Sequence, residues 1–325
     1  MGGKTQKFQK IALVIILMSS WSFSCPPPEN IAPCTCQRVF SKFQLKCKKI
    51  FSSSVLEEVF EQTVDYRIDS FQLEDSSFPY FSQRLFQLLK PSSITLIGNA
   101  ILSLAEPGHL PFQGLEDSLE YISVSRGQYM NDWNWSRFTE LRALTSILLS
   151  SGDLSHIGTT MFQGNLPSLL YLTIKSNHVS SIDKSAFSSL ESLEGLALWD
   201  NGITSIERSM FPNASLSQIN LSYNKLSSLP DDIFQGMPKL EYLDLRGNQL
   251  KKLGEQMLGG VWNQLETLYI SENHLQCDCA LKWISDRYHK RERPRELDMG
   301  TCVEPPQLKG QDPTTASWYL IGCFI

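Results

Sequence analysis

One frame of apolar residues recurs along this chain and fixes what it can fold into. It runs Leu169, Leu172, Ile174, Asn177, Val179, with two, one, two and one residues between successive members. It returns as Leu193, Leu196, Leu198, Asn201, Ile203 and as Leu216, Ile219, Leu221, Asn224, Leu226. It appears again as Leu240, Leu243, Leu245, Asn248, Leu250 and as Leu265, Leu268, Ile270, Asn273, Leu275. The asparagines of these five copies lie 23 to 25 residues apart. Within each copy the central apolar residues alternate with outward ones, as in Leu243-Asp244-Leu245, which predicts a short strand. The Asn ends that strand, where its amide can satisfy backbone groups of a tight turn. One copy cannot bury its own apolar face, so the copies must stack.

The frame resembles that of the leucine-rich repeat. The resemblance implies an α/β solenoid, a horseshoe with a short parallel concave sheet. Weaker copies extend it upstream. Ser76 takes the Asn position in the copy Ile68, Phe71, Leu73, and Asn99 takes it after Ile94 and Leu96. Gly127 and Gly152 take it in the next two, where a glycine keeps the turn but loses the amide. About nine repeats result, with an inner arc of roughly 40 Å at about 4.8 Å per strand. The wider gap before Gly127 holds Pro107-Gly108-His109-Leu110-Pro111, a loop insertion on the convex side. Ten residues beyond the Asn position stand Phe86, Phe187, Phe211, Phe234 and Leu258, expected to stack as a spine.

Residues 1–24 read as an export signal. Lys4, Lys7 and Lys10 precede the apolar run Ile11–Met18, and Ser22 and Ser24 are small residues at the positions a signal peptidase reads. That run is too short to span about 30 Å of hydrocarbon, so no membrane span is expected. The formal charge of −5 becomes −8 once these three lysines leave, since no acidic residue leaves with them. Such a balance argues against a nucleic-acid partner. The eight cysteines fall in two groups: Cys25, Cys34, Cys36 and Cys47 before the repeats, and Cys277, Cys279, Cys302 and Cys323 after them. A solenoid must cover both exposed ends, and stapled caps do so in an oxidising compartment. Two four-thiolate zinc sites are the competing account, and spacing alone does not give a connectivity. The organisation expected is a signal (1–24), an N-terminal cap (25–60), a solenoid (61–275) and a C-terminal cap (276–325).

Both ends also resemble the cysteine-rich flanks of extracellular leucine-rich repeat proteins. The C-terminal run Asn273-His274-Leu275-Gln276-Cys277-Asp278-Cys279, with Trp283 and Cys302-x-x-Pro305, carries that likeness. The resemblance implies the pairs Cys25–Cys36, Cys34–Cys47, Cys277–Cys302 and Cys279–Cys323. The opening string CPPPENIAPCTC, residues 25–36, resembles a group of arthropod secreted proteins that includes the non-catalytic leucine-rich subunit of decapod shrimp luciferase.

No catalytic constellation is visible. The five histidines form no metal-binding pair, no phosphate loop or nucleophile elbow is present, and no cofactor is implied. The outward strand positions form the candidate binding surface. Tyr171, Lys175, Trp199, Tyr242, Asp244, Arg246 and Tyr269 fall on the later strands, and exposed Trp, Tyr and Arg are the types enriched in binding hot spots. Isolated exposed aromatics are also ordinary sheet cover. Three sequons place glycans at Asn134, Asn213 and Asn220, the last on the concave face. The run Arg287, His289, Lys290, Arg291, Arg293, Arg295 suits a polyanionic glycan, although Asp286, Glu292 and Glu296 interleave with it as on a solvated helix face. The expectation is a secreted, non-enzymatic protein that recognises an extracellular protein ligand. A stabilising partner subunit of a secreted enzyme, or a glycan-binding matrix protein, is the alternative.

Overall fold

A computed structural model describes residues 24–162, 166–212, 214–290, 292 and 294–323. Apart from Ser24, the expected export segment lies outside them, as does Asn213. The frame builds one twelve-stranded sheet. Its strands are β1 (Thr35–Val39), β2 (Lys42–Lys48), β3 (Ser70–Glu74), β4 (Ser93–Ile97), β5 (Tyr121–Ser125) and β6 (Ser146–Ser150). They continue as β7 (Tyr171–Lys175), β8 (Gly195–Ala197), β9 (Gln218–Asn220), β10 (Tyr242–Asp244), β11 (Thr267–Tyr269) and β12 (Glu296–Asp298). Every neighbouring pair is parallel except β1 and β2, which form an antiparallel hairpin. Nine of the strands, β3 to β11, are the nine repeats. The sheet runs on into both caps through β2 and β12, so each cap covers an end of the core by adding to the sheet.

The register follows the frame without a slip. Tyr171 pairs with Gly195, Gly195 with Gln218, Gln218 with Tyr242 and Tyr242 with Thr267. The alternate residues Leu196, Ile219, Leu243 and Leu268 point into the core and are buried, as are the other apolar frame positions of the five strong repeats; Asn177, Asn224 and Asn248 are buried, Asn201 and Asn273 half-buried. The asparagines tie each repeat to the one before. Asn248 donates through Nδ2 to Leu221 O (2.9 Å) and Leu245 O (3.0 Å), and its Oδ1 accepts from Leu226 N (3.1 Å). Asn224 and Asn273 repeat this pattern one turn away on either side. Ser76 manages part of it, its hydroxyl accepting from Ile50 N and donating to Glu74 O.

At the two glycine copies another residue fills the slot. A Cβ on Gly152 would lie 2.4 Å from Met130 Sδ, and one on Gly127 3.0 Å from it. The buried Met130 thus occupies the space that an Asn takes elsewhere. Its backbone N–H, with that of Tyr129, is satisfied by the Asp153 carboxylate instead.

The residue before the Asn position carries a feature that the hydrophobic frame did not reveal. Asp75, Gly98, Arg126, Ser151, Ser176, Asp200, Tyr223, Gly247 and Glu272 all have positive φ, between 47° and 67°. Lys49 and Gly300 continue the column into the caps. Each turn therefore leaves the sheet through a left-handed residue, although only three of these eleven positions hold glycine.

The expected spine is present at Phe86, Phe187 and Phe211 and takes in further rings, while Phe234 and Leu258 are buried without a ring contact to it among the described residues. Phe60, Phe86, Phe112 and Phe138 stack in sequence at 5.3 to 6.4 Å, and Phe162, Phe187 and Phe211 at 5.9 and 6.5 Å. Phe112 was hidden by the Pro107–Pro111 insertion, which displaces it from its regular spacing. In the N-terminal cap, α1 (Ser53–Glu61) starts at Ser52, whose hydroxyl accepts from Ser54 N, and buries Leu56, Val59 and Phe60. In the C-terminal cap, α2 (Trp283–His289) anchors through Trp283, which donates to Leu253 O and packs edge-on against Trp262. The bridges are Cys25–Cys36, Cys34–Cys47, Cys277–Cys302 and Cys279–Cys323, the pairing that the flank resemblance implies. All eight cysteines are engaged, which leaves no thiolate set for zinc.

Candidate functional site

The open face of the sheet carries the seven residues singled out from the sequence, and the register splits them into two groups. Lys175 on β7 lies over the Trp199 ring, Nζ 4.9 Å from its centroid. Tyr171 at the start of β7 lies flat across Gly195, where a Cβ would meet the tyrosine ring at 2.7 Å. Beyond the small polar residues of β9 comes the denser group. Tyr242 and Tyr269 meet edge to face at 6.0 Å, and the Arg246 guanidinium sits 4.4 Å from the Tyr269 centroid.

Asp244 corrects an expectation. Read as an outward, solvated residue, it is instead 0% exposed. Arg246 grips it with Nε at 3.0 Å and Nη2 at 2.6 Å, and the Tyr242 hydroxyl reaches it at 3.4 Å. A carboxylate at this depth needs such partners. Asp244 therefore orients Arg246 and Tyr242 and offers a ligand no surface of its own. The bond to Asp244 also holds the Arg246 pKa well above its ordinary value, so the guanidinium is permanently charged.

Tyr223 and its partner Glu272, which the alternation of the strands did not single out, complete the group. Tyr223, 45% exposed, precedes the Asn position and has φ +55°. Its ring covers Gly247, where a Cβ would fall 2.4 Å from Tyr223 Cδ1. Its hydroxyl donates to Glu272 at 3.2 Å, and Tyr269 donates to Glu296 at 2.6 Å. Tyr171 likewise points its hydroxyl at Glu194, 3.5 Å away. The Glu272 charge raises the Tyr223 pKa, burial and then Asp244 raise that of Tyr242, and the bond to Glu296 raises that of Tyr269. Each phenol thus stays protonated and keeps its hydrogen on a carboxylate. What the face turns outward is ring surface, the carboxylates of Glu272 and Glu296, and the partly exposed Arg246 guanidinium between them.

Comparison with known proteins agrees with this architecture. The family described as "Leucine rich repeat" matches residues 142–196 and 191–250. The protein is a leucine-rich repeat solenoid with cysteine-rich flanks. It is 31% identical over 153 residues to the human CD180 antigen, which is 45% of this chain and 22% of that protein. It is 35% identical over 123 residues to the Pongo abelii Transforming growth factor beta activator LRRC32, 38% of this chain and 18% of that protein. Against Toll-like receptor 9 of Mus musculus the figures are 28% over 177 residues, 54% and 17%. The solenoid spans only about a fifth of each of these relatives. Among solved structures, a chain in an octameric complex of Latrophilin 3, Unc5D and FLRT2 (LRR) superposes with a TM-score of 0.63. The overlap covers 85% of this chain and 88% of that one at 20% identity, a likeness of fold.

The remaining candidates of the solenoid sort by their surroundings. Asn134 is exposed at the start of a short 3-10 helix on the convex side, whereas Asn220 is half-buried on β9, its Oδ1 accepting from Ser222 N and Oγ. In the C-terminal basic run, Arg287 is already engaged with Glu255 and stacked on Trp283, and Arg291 and Arg293 lie outside the described residues. A Ser–His–Asp contact that the sequence did not show joins Ser181 Oγ, His156 Nδ1 (2.8 Å) and Asp183 Oδ1 (3.5 Å from Nε2). The other oxygen of Asp183 caps Thr159, and His156 and Asp183 are about half exposed, which is turn chemistry in water rather than a desolvated nucleophile. Among the described residues no helix is long and apolar enough to cross a membrane, and no His, Cys, Asp and Glu group could hold a metal.

Proposed function

We propose that this is a secreted, non-enzymatic recognition protein that grips a protein ligand on the concave face of the sheet, centred on Tyr223, Tyr242, Arg246 and Tyr269. The observation that carries this reading is the tying of each tyrosine hydroxyl to a carboxylate. The face is preorganised and rich in aromatic area, with the Arg246 cation at its centre and the exposed carboxylates of Glu272 and Glu296 beside it, so it favours a ligand segment that brings an apolar or aromatic side chain together with charged groups of both signs. Tyr171, Lys175 and Trp199 form a second contact point one repeat away, with Asp244 as the buried support of the first. Relatives named as a receptor and an activator fit such a role, and four disulfides fit an oxidising compartment. Glycans at Asn134, Asn213 and Asn220 would mark surface left free of ligand, and an occupied Asn220 would narrow the face between the two contact points.

The test is binding of the partner recovered by cross-linking and mass spectrometry from the native secretion. Tyr223→Ala and Tyr269→Ala should each weaken it about tenfold or more, and Phe51→Ala at the N-terminal cap should not. Equal affinity of all three variants would refute the site. The opening string of residues 25–36 favours a second reading, a non-catalytic subunit that stabilises a secreted enzyme. Recovery of a small enzyme at equal stoichiometry would support it. Polyanion binding at the C-terminal cap is a third, read out by heparin affinity after charge reversal of Arg295 and Lys290.

A further inference from the structure

We propose that the tip of the β1–β2 hairpin is a docking point for an anionic lipid surface, independent of the concave face. The two strands are joined by a two-residue turn, Phe40 and Ser41. Phe40 occupies its first position with φ +54°, where tight hairpin turns favour glycine. A bulky ring in a left-handed conformation is an outlier that local packing normally has to justify. Here no packing does so, because Phe40 is 95% exposed, the most exposed large apolar residue described. Its neighbour Val39 is exposed as well.

The surroundings give the partner its chemistry. Arg38 and Lys42 flank the apolar pair, and Arg38 donates through Nε to Phe40 O (3.1 Å), which holds the turn. From residue 30 to residue 56 the chain contains Arg38, Lys42, Lys46, Lys48 and Lys49 and no acidic residue, within a protein of net charge −5. Lys46 and Lys48 are bonded to Glu74 at the far part of β2, so Arg38 and Lys42 are the cations set beside the tip. The nearby Asp69 is buried, accepting from Phe43 N and paired with Arg67. The hairpin is rigid, with Cys36 and Cys47 stapling its two strands to Cys25 and Cys34. The layering is that of an interfacial anchor: apolar groups at the point, cations one residue behind at headgroup depth.

The experiment compares vesicles of phosphatidylcholine alone with vesicles that also contain phosphatidylserine, using the full chain with its disulfides intact. Binding is expected only to the anionic vesicles, and high salt should abolish it. Phe40→Ala should weaken it about tenfold or more, as removing a buried phenyl ring from an apolar phase does. Arg38→Gln with Lys42→Gln should erase the preference for phosphatidylserine. Phe40→Trp should shift its emission to the blue on anionic vesicles alone. Phe40→Gly is the folding control: it suits the turn, so its thermal midpoint should equal or exceed wild type while binding falls. Equal binding to both vesicle types, or Phe40→Gly binding like wild type, overturns the proposal. So does loss of a protein partner by Phe40→Ala with vesicle binding unchanged, which would assign the tip to a protein pocket.

Discussion

Replacing Asn248 by alanine tests the architecture at its most repeated contact. The side chain is 3% exposed and makes four bonds, three of 2.9 to 3.1 Å to Leu221 O, Leu245 O and Leu226 N and a longer one of 3.3 Å to Arg246 O. Leu221 O and Leu245 O each keep a second donor, from Asn224 and Asn273, and Arg246 O keeps Tyr223 N. The Leu226 N–H has no such reserve, and Leu226 is fully buried. An orphaned buried N–H costs about 1–3 kcal/mol, and the three shared bonds lost from the carbonyls add roughly 0.5–1 kcal/mol together. The expected loss is therefore about 2–4 kcal/mol, with the ligand face unchanged. It should appear in denaturant titration as a lower midpoint at constant slope, with faster hydrogen exchange at the Leu226 amide. Asn248→Asp sharpens the test. Its carboxylate still accepts from Leu226 N but faces carbonyl oxygens, and burial raises its pKa in the folded state. The sign follows: the variant is penalised at neutral pH, and the penalty shrinks as pH falls through that raised pKa, when the acid can donate again. A loss under about 0.5 kcal/mol for Asn248→Ala, or an Asp variant with no pH dependence beyond wild type, would refute the ladder.

Gly247→Ala should destabilise on two counts, a left-handed backbone worth about 1–2 kcal/mol and a Cβ set 2.4 Å from the Tyr223 ring. Adding Tyr223→Ala should recover only the steric part, which a double-mutant cycle reads directly. Glu74, bonded first to Lys46 and then to Lys48, has its pKa lowered to about 2. Its contribution to stability is present above its ordinary value near 4.5 and is lost as pH falls toward 2, and Glu74→Gln should remove that segment of the stability–pH curve. Thiol titration of the denatured, unreduced chain should find no thiol, and deleting one cap bridge should cost about 2–5 kcal/mol.

The sequence by itself determined the nine repeat strands, their register and the apolar set they bury, but not the three cap strands β1, β2 and β12. A period of two within each strand, locked to an Asn every 23 to 25 residues, allows one stacking in which Leu196, Ile219, Leu243 and Leu268 share the core. It also placed Tyr171, Trp199, Tyr242 and Tyr269 on the open face, because alternation decides the face without knowledge of neighbours. What lies between repeats was not legible. Met130 filling the slots over Gly127 and Gly152, and Phe112 rejoining the spine after its insertion, depend on volumes contributed by residues far apart in sequence. The left-handed column escaped because its residues share a backbone angle and no side-chain type. Asp244 shows the same limit at the site: alternation turns it outward, but only the bulk of Tyr242 and the reach of Arg246 remove it from water. Facing is a property of the strand and can be counted along the chain. Burial and charge pairing are properties of what the neighbouring repeats bring, and they exist only once the repeats are stacked.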